Sequence, residues 1–266
     1  MIDTARDIYA LKRRAGVRKT IGGLDYTRCV EYPAVLHRLN LGAANRVLEV
    51  GSSKLFLAPY IAIRHGVETH ATDQDPVVDL QRRWIERLGH RDLLESGRFV
   101  VAREDATQLS YPDGHFDRIV CVSTIEHIRR VELAAAEFNR VLAPGGLVGL
   151  TVPFSTDFRE VFVNGTVYGR KSDGWPQFYE YIFDRPTLDR RLIGPSGLEV
   201  VDLTFLGEPG IKLSKLVYGR LGKPLSLLRS LWPYTAHRFL RPIGEERVTS
   251  GVENIAVLVL RKPAST

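Results

Sequence analysis

The sequence predicts an α/β fold in which a mostly parallel sheet is covered by helices on both faces. Short apolar runs rich in Val, Ile and Leu alternate along the chain with helical patterns, and this alternation is typical of a doubly wound sheet. The chain has 266 residues, of which 44% are hydrophobic, and this is enough to bury a sizeable core. We therefore expect one large domain with insertions.

Seven segments have the composition of buried strands, which predicts a seven-stranded sheet. They are residues 46–50, 68–73, 98–104, 116–123, 146–154, 198–207 and 252–262. Helical patterns occupy residues 54–65, 77–88 and 131–141, and the "APGG" stretch ends the last of them. We expect residues 1–45 to form an N-terminal helical cap and residues 46–266 to form the main domain.

Two long segments interrupt the alternation, at residues 155–185 and 208–250. In a sheet of this kind, insertions overhang the carboxyl edge, where ligands bind. The first is rich in aromatic residues that could wall a pocket. The second has eight Lys or Arg against three Glu, and we predict that it forms a lid. Its alternative role is contact with a membrane surface.

Composition narrows the classes of function. Cys29 and Cys121 match no metal-binding or redox spacing, so we expect no metal site and a reducing, cytoplasmic compartment. No segment has the pattern of a signal peptide or the apolar length of a membrane span. A formal charge of +6 and a pI near 9.4 favour anionic partners.

The stretch "VLEVGSSKL", residues 47–55, is typical of a strand that turns into a helix beside a cofactor, but Gly51 is its only glycine. A dinucleotide site requires G-x-G-x-x-G at this position. Glu49, near the end of the strand, would repel a pyrophosphate and suits a cationic or zwitterionic ligand such as S-adenosylmethionine. A nicotinamide-dependent oxidoreductase is an alternative that rests on the α/β pattern alone.

Four ordered stretches then carry a resemblance: "VLEVGSSKL", "ATDQDP", "EDATQLSYPDGHFDRIVCVSTIEHI" and "FNRVLAPGGLVGLTVP". Over roughly residues 45–154 the sequence resembles the class I S-adenosylmethionine-dependent methyltransferases, in the small-molecule branch called type 11. The resemblance implies a Rossmann-like methyltransferase fold. It also implies methyl transfer to a small-molecule acceptor, anionic or amphipathic, by in-line displacement at the sulfonium methyl. A methyltransferase-like binding protein without catalysis is the alternative suggested by the altered glycine loop.

The resemblance also implies roles for the residues that follow the strands. Gly51 would let the backbone approach the methionine portion of the cofactor, and Glu49 would meet its ammonium group. Asp73 would accept hydrogen bonds from the ribose hydroxyls, although Asp75 could take that role instead. Ser53 stands where the family has a glycine, and its Cβ restricts the backbone.

The remaining implied roles lie after the third and fourth strands. Asp105 would accept from the adenine amino group while the Ala106 amide meets a ring nitrogen. Ser123 would contact the methionine portion or cap the following helix. His127 would act as a general base for a poor nucleophile such as an alcohol, or line the pocket; Glu126 has similar standing. Because "STIEH" stands where [DNS]-P-P-[YFW] marks many nucleobase-amine methyltransferases, a nucleic acid substrate is disfavoured.

Overall fold

A computed structural model of the chain describes residues 2–16, 24–43, 45–165, 174–217, 230–249 and 254–264. The strands in these residues are β1 Arg46–Val50, β2 Glu68–Asp73, β3 Phe99–Arg103, β4 Phe116–Val122, β5 Leu142–Phe154, β6 Arg159–Val163, β7 Gln177–Ile182, β8 Glu199–Gly207, β9 Arg241–Ile243 and β10 Asn254–Arg261. The helices are α1 Ile2–Arg14, α2 Arg28–Leu39, α3 Leu57–His65, α4 Leu80–Arg87, α5 Arg91–Glu95, α6 Val131–Val141, α7 Arg185–Leu188, α8 Gly194–Ser196, α9 Leu213–Val217 and α10 Trp232–Thr235. Single helical turns lie at Pro76–Asp79, Ile125–His127, Asp189–Ile193, Ala236–Arg238 and Glu245–Arg247.

The main sheet runs in the order β3-β2-β1-β4-β5-β10-β8-β9. Strands β1 to β5 are parallel, and β10 lies antiparallel between β5 and β8. The predicted fold class, a mostly parallel Rossmann-like sheet, is therefore confirmed. The sheet has an eighth strand, β9, which the sequence did not predict. It has only three residues, too few to show an alternating apolar and polar pattern.

The strand order reverses between β1 and β4, and this reversal positions the site. The connections after β1 and after β4 leave the sheet in opposite directions, so a crevice opens between the carboxyl ends of these two strands. The helix after β1 begins at Leu57 and not at the predicted position 54. Residues 51–56 therefore form a loop along that crevice.

Helix α2 packs closely on the face of the sheet. Its buried side chains share a core with Val47 and Val120 of the parallel strands. A Cβ on Gly149 of β5 would lie 2.7 Å from Val35 Cγ1, so the glycine permits this close approach. The predicted helical cap thus covers one face of the sheet, and its boundary at residue 45 stays a prediction.

The first insertion contains a separate hairpin formed by β6 and β7. Its base is tied to the end of β5, since the Ser155 amide donates to the Phe183 carbonyl at 2.8 Å and the Phe183 amide donates to the Pro153 carbonyl at 3.0 Å. Tyr168, one of the aromatic residues predicted to wall a pocket, lies outside the described residues.

In the second insertion, Trp232 and Leu240 are buried in the core that contains the N-terminal helices.

Across the described ranges, no helix combines the length and the apolar character needed to cross a bilayer. Within those same ranges, no group of three or more His, Cys, Asp or Glu side chains is arranged to hold a metal ion.

Candidate functional site at the carboxyl edge

The loop after β1 touches the loop after β4 at Gly51. The φ angle of Gly51 is +82°, a left-handed conformation that favours glycine. A Cβ at this position would lie 2.2 Å from Thr124 Oγ1. Any side chain here would therefore push the two walls of the crevice apart.

Ser53 occupies a glycine-like position two residues further on. Its φ is +44°, which costs an L-residue roughly 1–2 kcal/mol. The Ser53 amide donates a 3.0 Å hydrogen bond to Asp73 Oδ2 at the end of β2. The strain in the loop is thus offset by a contact with the neighbouring strand.

A buried amide from α4 holds the same loop. Gln81 Nε2 donates to the carbonyls of Ser52 and Ser53, each at 3.2 Å, and to the Leu55 carbonyl at 2.8 Å. Gln81 is fully buried, so its amide group holds the loop from the interior. Sequence reasoning missed Gln81, whose sole signal is a polar residue on the inward side of a helical pattern.

Glu49 lies buried beneath this loop. Ser52 Oγ donates to Glu49 Oε2 at 2.5 Å, and the Ala58 amide at the start of α3 also donates to the carboxyl group. Burial raises the pKa of Glu49 to about 7 against these two hydrogen bonds, and the nearby Asp73 carboxylate adds to the rise. A cation placed beside Glu49 would favour its ionised form.

Asp73 and Asp75 have different surroundings. Asp73 Oδ1 accepts from the Asp75 amide at 2.9 Å, while its Oδ2 accepts from Ser53, and burial raises its pKa. Asp75 Oδ1 accepts from the Val77 amide at 2.8 Å and so caps the helical turn that begins at Pro76. Of the two carboxylates, Asp73 is the one joined to the loop after β1.

Asp105 is exposed and closes its own turn. Its Oδ1 accepts from the Thr107 amide at 2.9 Å and from the Thr107 hydroxyl at 2.8 Å, and Gln74 Nε2 lies 3.5 Å from its other oxygen. Ala106 is buried in the core beneath the sheet edge. Asp105 therefore lies next to the loop after β2, and Ala106 packs inward beside it.

Ser123 is held by a buried charge from α2. Its φ is +41°, and its hydroxyl donates to Glu31 Oε1 at 2.5 Å. Thr151 Oγ1 on β5 donates to the same oxygen at 2.7 Å, and Arg28 forms an ion pair with Glu31. Although burial opposes ionisation, Arg28 and these hydroxyls hold the pKa of Glu31 below its usual value. Sequence reasoning missed Arg28 and Glu31, whose signal is two charges within an otherwise apolar helix.

His127 lies in the turn that follows β4. Its Nδ1 is 2.8 Å from the Tyr179 carbonyl of the hairpin, and burial lowers the pKa of the imidazole. The adjacent Glu126 is buried, and burial raises its pKa well above the usual range. The structure thus brings His127, Ser123 and Gly51 to one edge of the sheet, with Glu49, Asp73 and Asp105 beside them.

Among the described residues, the buried polar atoms without a hydrogen-bond partner include the Tyr32 hydroxyl and Glu126 Oε2, both near Arg28. Both interact electrostatically with Arg28, and Tyr32 also interacts with Glu49. Buried groups of this kind indicate a ligand or bound water. Carboxylates, a guanidinium and a loop with few glycines suit a zwitterionic nucleoside better than a dinucleotide, so the residues fit S-adenosylmethionine.

A cavity of about 490 Å³ at the opposite, amino edge of the sheet is a different feature. Its lining includes Arg46, Glu68, His115 and Asp117, which are bonded largely to one another. Arg46 Nε donates to Glu68 at 2.6 Å and the Arg46 amide donates to Asp117 at 2.8 Å. Ligands of doubly wound sheets bind at the carboxyl edge, so we place the functional site there.

Known proteins similar to this chain include methyltransferases, which agrees with a site that fits S-adenosylmethionine. Residues 48–150 match the family described as "Methyltransferase domain". The methyltransferase GfsG of Streptomyces halstedii is 26% identical over 204 residues, which cover 68% of this chain and 70% of that protein. Together, the match of residues 48–150 to a methyltransferase domain and this relative support a class I S-adenosylmethionine-dependent methyltransferase whose cofactor is S-adenosylmethionine.

Two solved structures share the fold. The [4+2]-cyclase SpnF aligns with a TM-score of 0.58 and 20% identity over 88% of this chain and 81% of its own. The geranyl diphosphate C-methyltransferase of Streptomyces coelicolor A3(2), solved with geranyl diphosphate and S-adenosyl-L-homocysteine, aligns with a TM-score of 0.59 and 10% identity over 90% and 81%. At these identities the likeness concerns the fold alone.

The left-handed Ser53 gives a first prediction. Ser53→Gly should raise the free energy of unfolding by about 1 kcal/mol, since glycine adopts this conformation without strain, and should keep or tighten the binding of S-adenosylhomocysteine. Chemical denaturation and calorimetric titration measure the two effects. Ser52→Gly is the matched control, because it removes the hydroxyl bonded to Glu49 at a residue without positive φ. A large loss of affinity in Ser53→Gly would show that the Ser53 hydroxyl makes a needed contact.

The raised pKa of Glu49 gives a second prediction. Between pH 4.5 and about 7 the unfolded chain loses this proton while the folded chain keeps it, so the ligand-free protein should lose stability as pH rises through this window. The loss should reach about 3 kcal/mol and then level off. Glu49→Gln should show a smaller fall across the same window in denaturation experiments at several pH values. An identical pH dependence in the two proteins would contradict the assignment.

Proposed function

We propose that the enzyme methylates a small amphipathic acceptor that binds between the turn after β4 and the β6–β7 hairpin. The observation that carries the proposal is the contact between these two elements at His127. The His127 and Tyr179 rings lie edge to face with centroids 5.0 Å apart. The hairpin therefore presents aromatic surface beside the residue best placed to act on an acceptor.

Further aromatic rings support an apolar part of the acceptor. The Phe178 and Tyr181 rings lie 4.6 Å apart, and Phe158 stacks on Tyr181 at 5.8 Å. Near the tip of the hairpin, Phe162 and Trp175 are exposed. An apolar body could lie along these rings while a polar group faces the sheet edge. Geranyl diphosphate, named for one structural neighbour, is a molecule of this amphipathic and anionic type.

On this proposal the cofactor lies across the carboxyl ends of β1, β2 and β4. Gly51 and Ser53 bring the backbone close to its methionine portion, and Glu49 stabilises its ammonium group. Asp73 accepts from the ribose hydroxyls through the lone pairs that its backbone hydrogen bonds leave. Arg28, although paired with Glu31, offers positive charge to the methionine carboxylate.

The adenine and catalytic ends of the site complete the proposal. Asp105 and the Ala106 amide meet the adenine edge at the rim, and the Ser123 turn lies beside the methionine portion. The sulfonium supplies an electrophilic methyl group when the cofactor is bound. The protein then has to align the acceptor and exclude water, and His127 removes a proton from an acceptor that is a poor nucleophile.

Catalysis other than methyl transfer is the second candidate. It is suggested by the cyclase activity named for SpnF, which shares the fold; in such a reaction this chain would bind its cofactor without consuming it. Methyl transfer and cyclisation can be told apart by one product. Methyl transfer releases S-adenosylhomocysteine in proportion to turnover, whereas cyclisation releases none.

The proposed function predicts label transfer. With methyl-labelled S-adenosylmethionine and fractionated small-molecule extracts, the purified enzyme should form one labelled product and an equal amount of S-adenosylhomocysteine. His127→Ala should lower kcat by about 10²–10⁴ and remove the rising limb of the pH profile. His90→Ala, in a loop remote from this edge, is the control. A labelled product formed at the wild-type rate by His127→Ala would remove the base from the proposal.

The second insertion also carries four exposed apolar residues: Ile211, Leu216, Leu231 and Tyr234. Because this insertion is basic, we propose that these residues contact an anionic membrane surface that supplies an amphipathic acceptor. The protein should sediment with phosphatidylserine-containing vesicles at low salt and less at high salt. Ile211→Ser combined with Leu216→Ser should weaken binding, whereas Phe162→Ser, on the hairpin, should not. No sedimentation at low salt would exclude membrane contact.

A further inference from the structure

The β6–β7 hairpin fixes the protonation pattern of His127. The Tyr179 carbonyl lies 2.8 Å from His127 Nδ1, and a carbonyl oxygen accepts hydrogen bonds but cannot donate them. Nδ1 therefore carries the proton, and the neutral imidazole presents Nε2 as its basic atom. The nitrogen that would take a proton is selected by a backbone group of the first insertion.

Two carboxyl groups flank that basic nitrogen. Glu126 Oε1 lies 3.8 Å from Nε2, and Glu180 Oε2 of β7 lies 4.0 Å from it. Glu126 is 1% exposed, and burial raises the pKa of its carboxyl group well above the usual range. The Glu180 side chain is 17% exposed and so borders solvent. Arg28 is the charged group that opposes them, since it lowers the pKa of His127 together with burial.

The strand that carries Glu180 is anchored on both sides of this contact. After Glu180, the Tyr181 hydroxyl donates to the Arg129 carbonyl at 3.0 Å, and Phe183 pairs with the end of β5. Before it, Tyr179 accepts from His127. These bonds anchor β7 on each side of Glu180, and its carboxylate oxygen lies 4.0 Å from Nε2.

We propose that Glu180 is a positioning residue that, with the Tyr179 carbonyl, holds His127 as the general base for a hydroxyl-bearing acceptor. The inference rests on the proposed function and names its acceptor chemistry. The acceptor hydroxyl gives its proton to Nε2 as its oxygen bonds to the methyl carbon. The carbon–sulfur bond breaks, and its electron pair stays on sulfur. The imidazolium formed is stabilised by the Glu180 carboxylate and later releases its proton to water.

The test measures His127 directly and needs no acceptor. In ¹⁵N-labelled protein saturated with S-adenosylhomocysteine, long-range imidazole spectra report which ring nitrogen is protonated and give the pKa of each histidine; His127→Gln assigns the His127 signals. We expect the Nδ1–H tautomer in the wild type. Glu180→Gln should keep this tautomer and lower the pKa of His127 by about one unit, because an opposite charge close to the ring is lost.

Glu160→Gln is the matched control. Glu160 lies on β6 of the same hairpin, opposite Tyr181, and is exposed, so the same change of charge there should leave the pKa of His127 unmoved. An Nε2–H tautomer in the wild type would overturn the inference. An unchanged His127 pKa in folded Glu180→Gln would overturn it as well.

The label-transfer assay separates this inference from the proposed function. In Glu180→Gln the rising limb of the pH profile should move to lower pH and kcat should fall about tenfold, while KM for the labelled cofactor is unchanged. If the wild type transfers methyl groups to a carbon or an amine and not to a hydroxyl, the acceptor chemistry inferred here is wrong while the proposed function stands. If the wild type transfers no methyl group, the proposed function fails.

Discussion

The site depends on two side chains that hold the loop after β1 from outside. The Gln81 side-chain N–H groups donate hydrogen bonds to three loop carbonyls, and the Asp73 carboxylate accepts one from the Ser53 amide. With these anchors, a loop with a single glycine adopts left-handed conformations at both Gly51 and Ser53. The strain at Ser53, roughly 1–2 kcal/mol, is of the size that a few buried hydrogen bonds offset. Glycine-rich sequence is one way to build such a loop, and external anchoring is another.

The opposite wall of the crevice depends on a buried charge. Glu31 joins α2 to the ends of β4 and β5 through Ser123 and Thr151, and this holds the turn in which Thr124 packs on Gly51. Glu31 is itself paired with Arg28. Removing one partner of such a buried ion pair costs about 3–5 kcal/mol, so the position of this wall depends on α2. The N-terminal helices and the hairpin therefore both shape a site whose sequence motifs lie on neither.

The strands and the edge that carries the site could be predicted from the sequence, because each depends on local pattern: buried runs such as residues 46–50 and acids that directly follow strands, such as Asp73. Other features could not be predicted, because they depend on contacts distant in sequence. Gln81 is 29 residues from Ser52, and Glu31 is 92 from Ser123. Tyr179, 52 residues from His127, lies in an insertion predicted only to wall a pocket. The roles assigned to the site residues all stay predictions: Glu49, Gly51, Ser53, Asp73, Asp105, Ala106, Ser123 and His127.

The most direct measurement of the central claim is calorimetric titration of the purified protein with S-adenosylhomocysteine and, separately, with NADPH. An anchored loop with a buried acid beneath it should bind one S-adenosylhomocysteine per chain and no NADPH. Circular dichroism on the same sample establishes that the protein is folded. Folded protein that binds no S-adenosylhomocysteine, or that binds NADPH instead, would contradict the account.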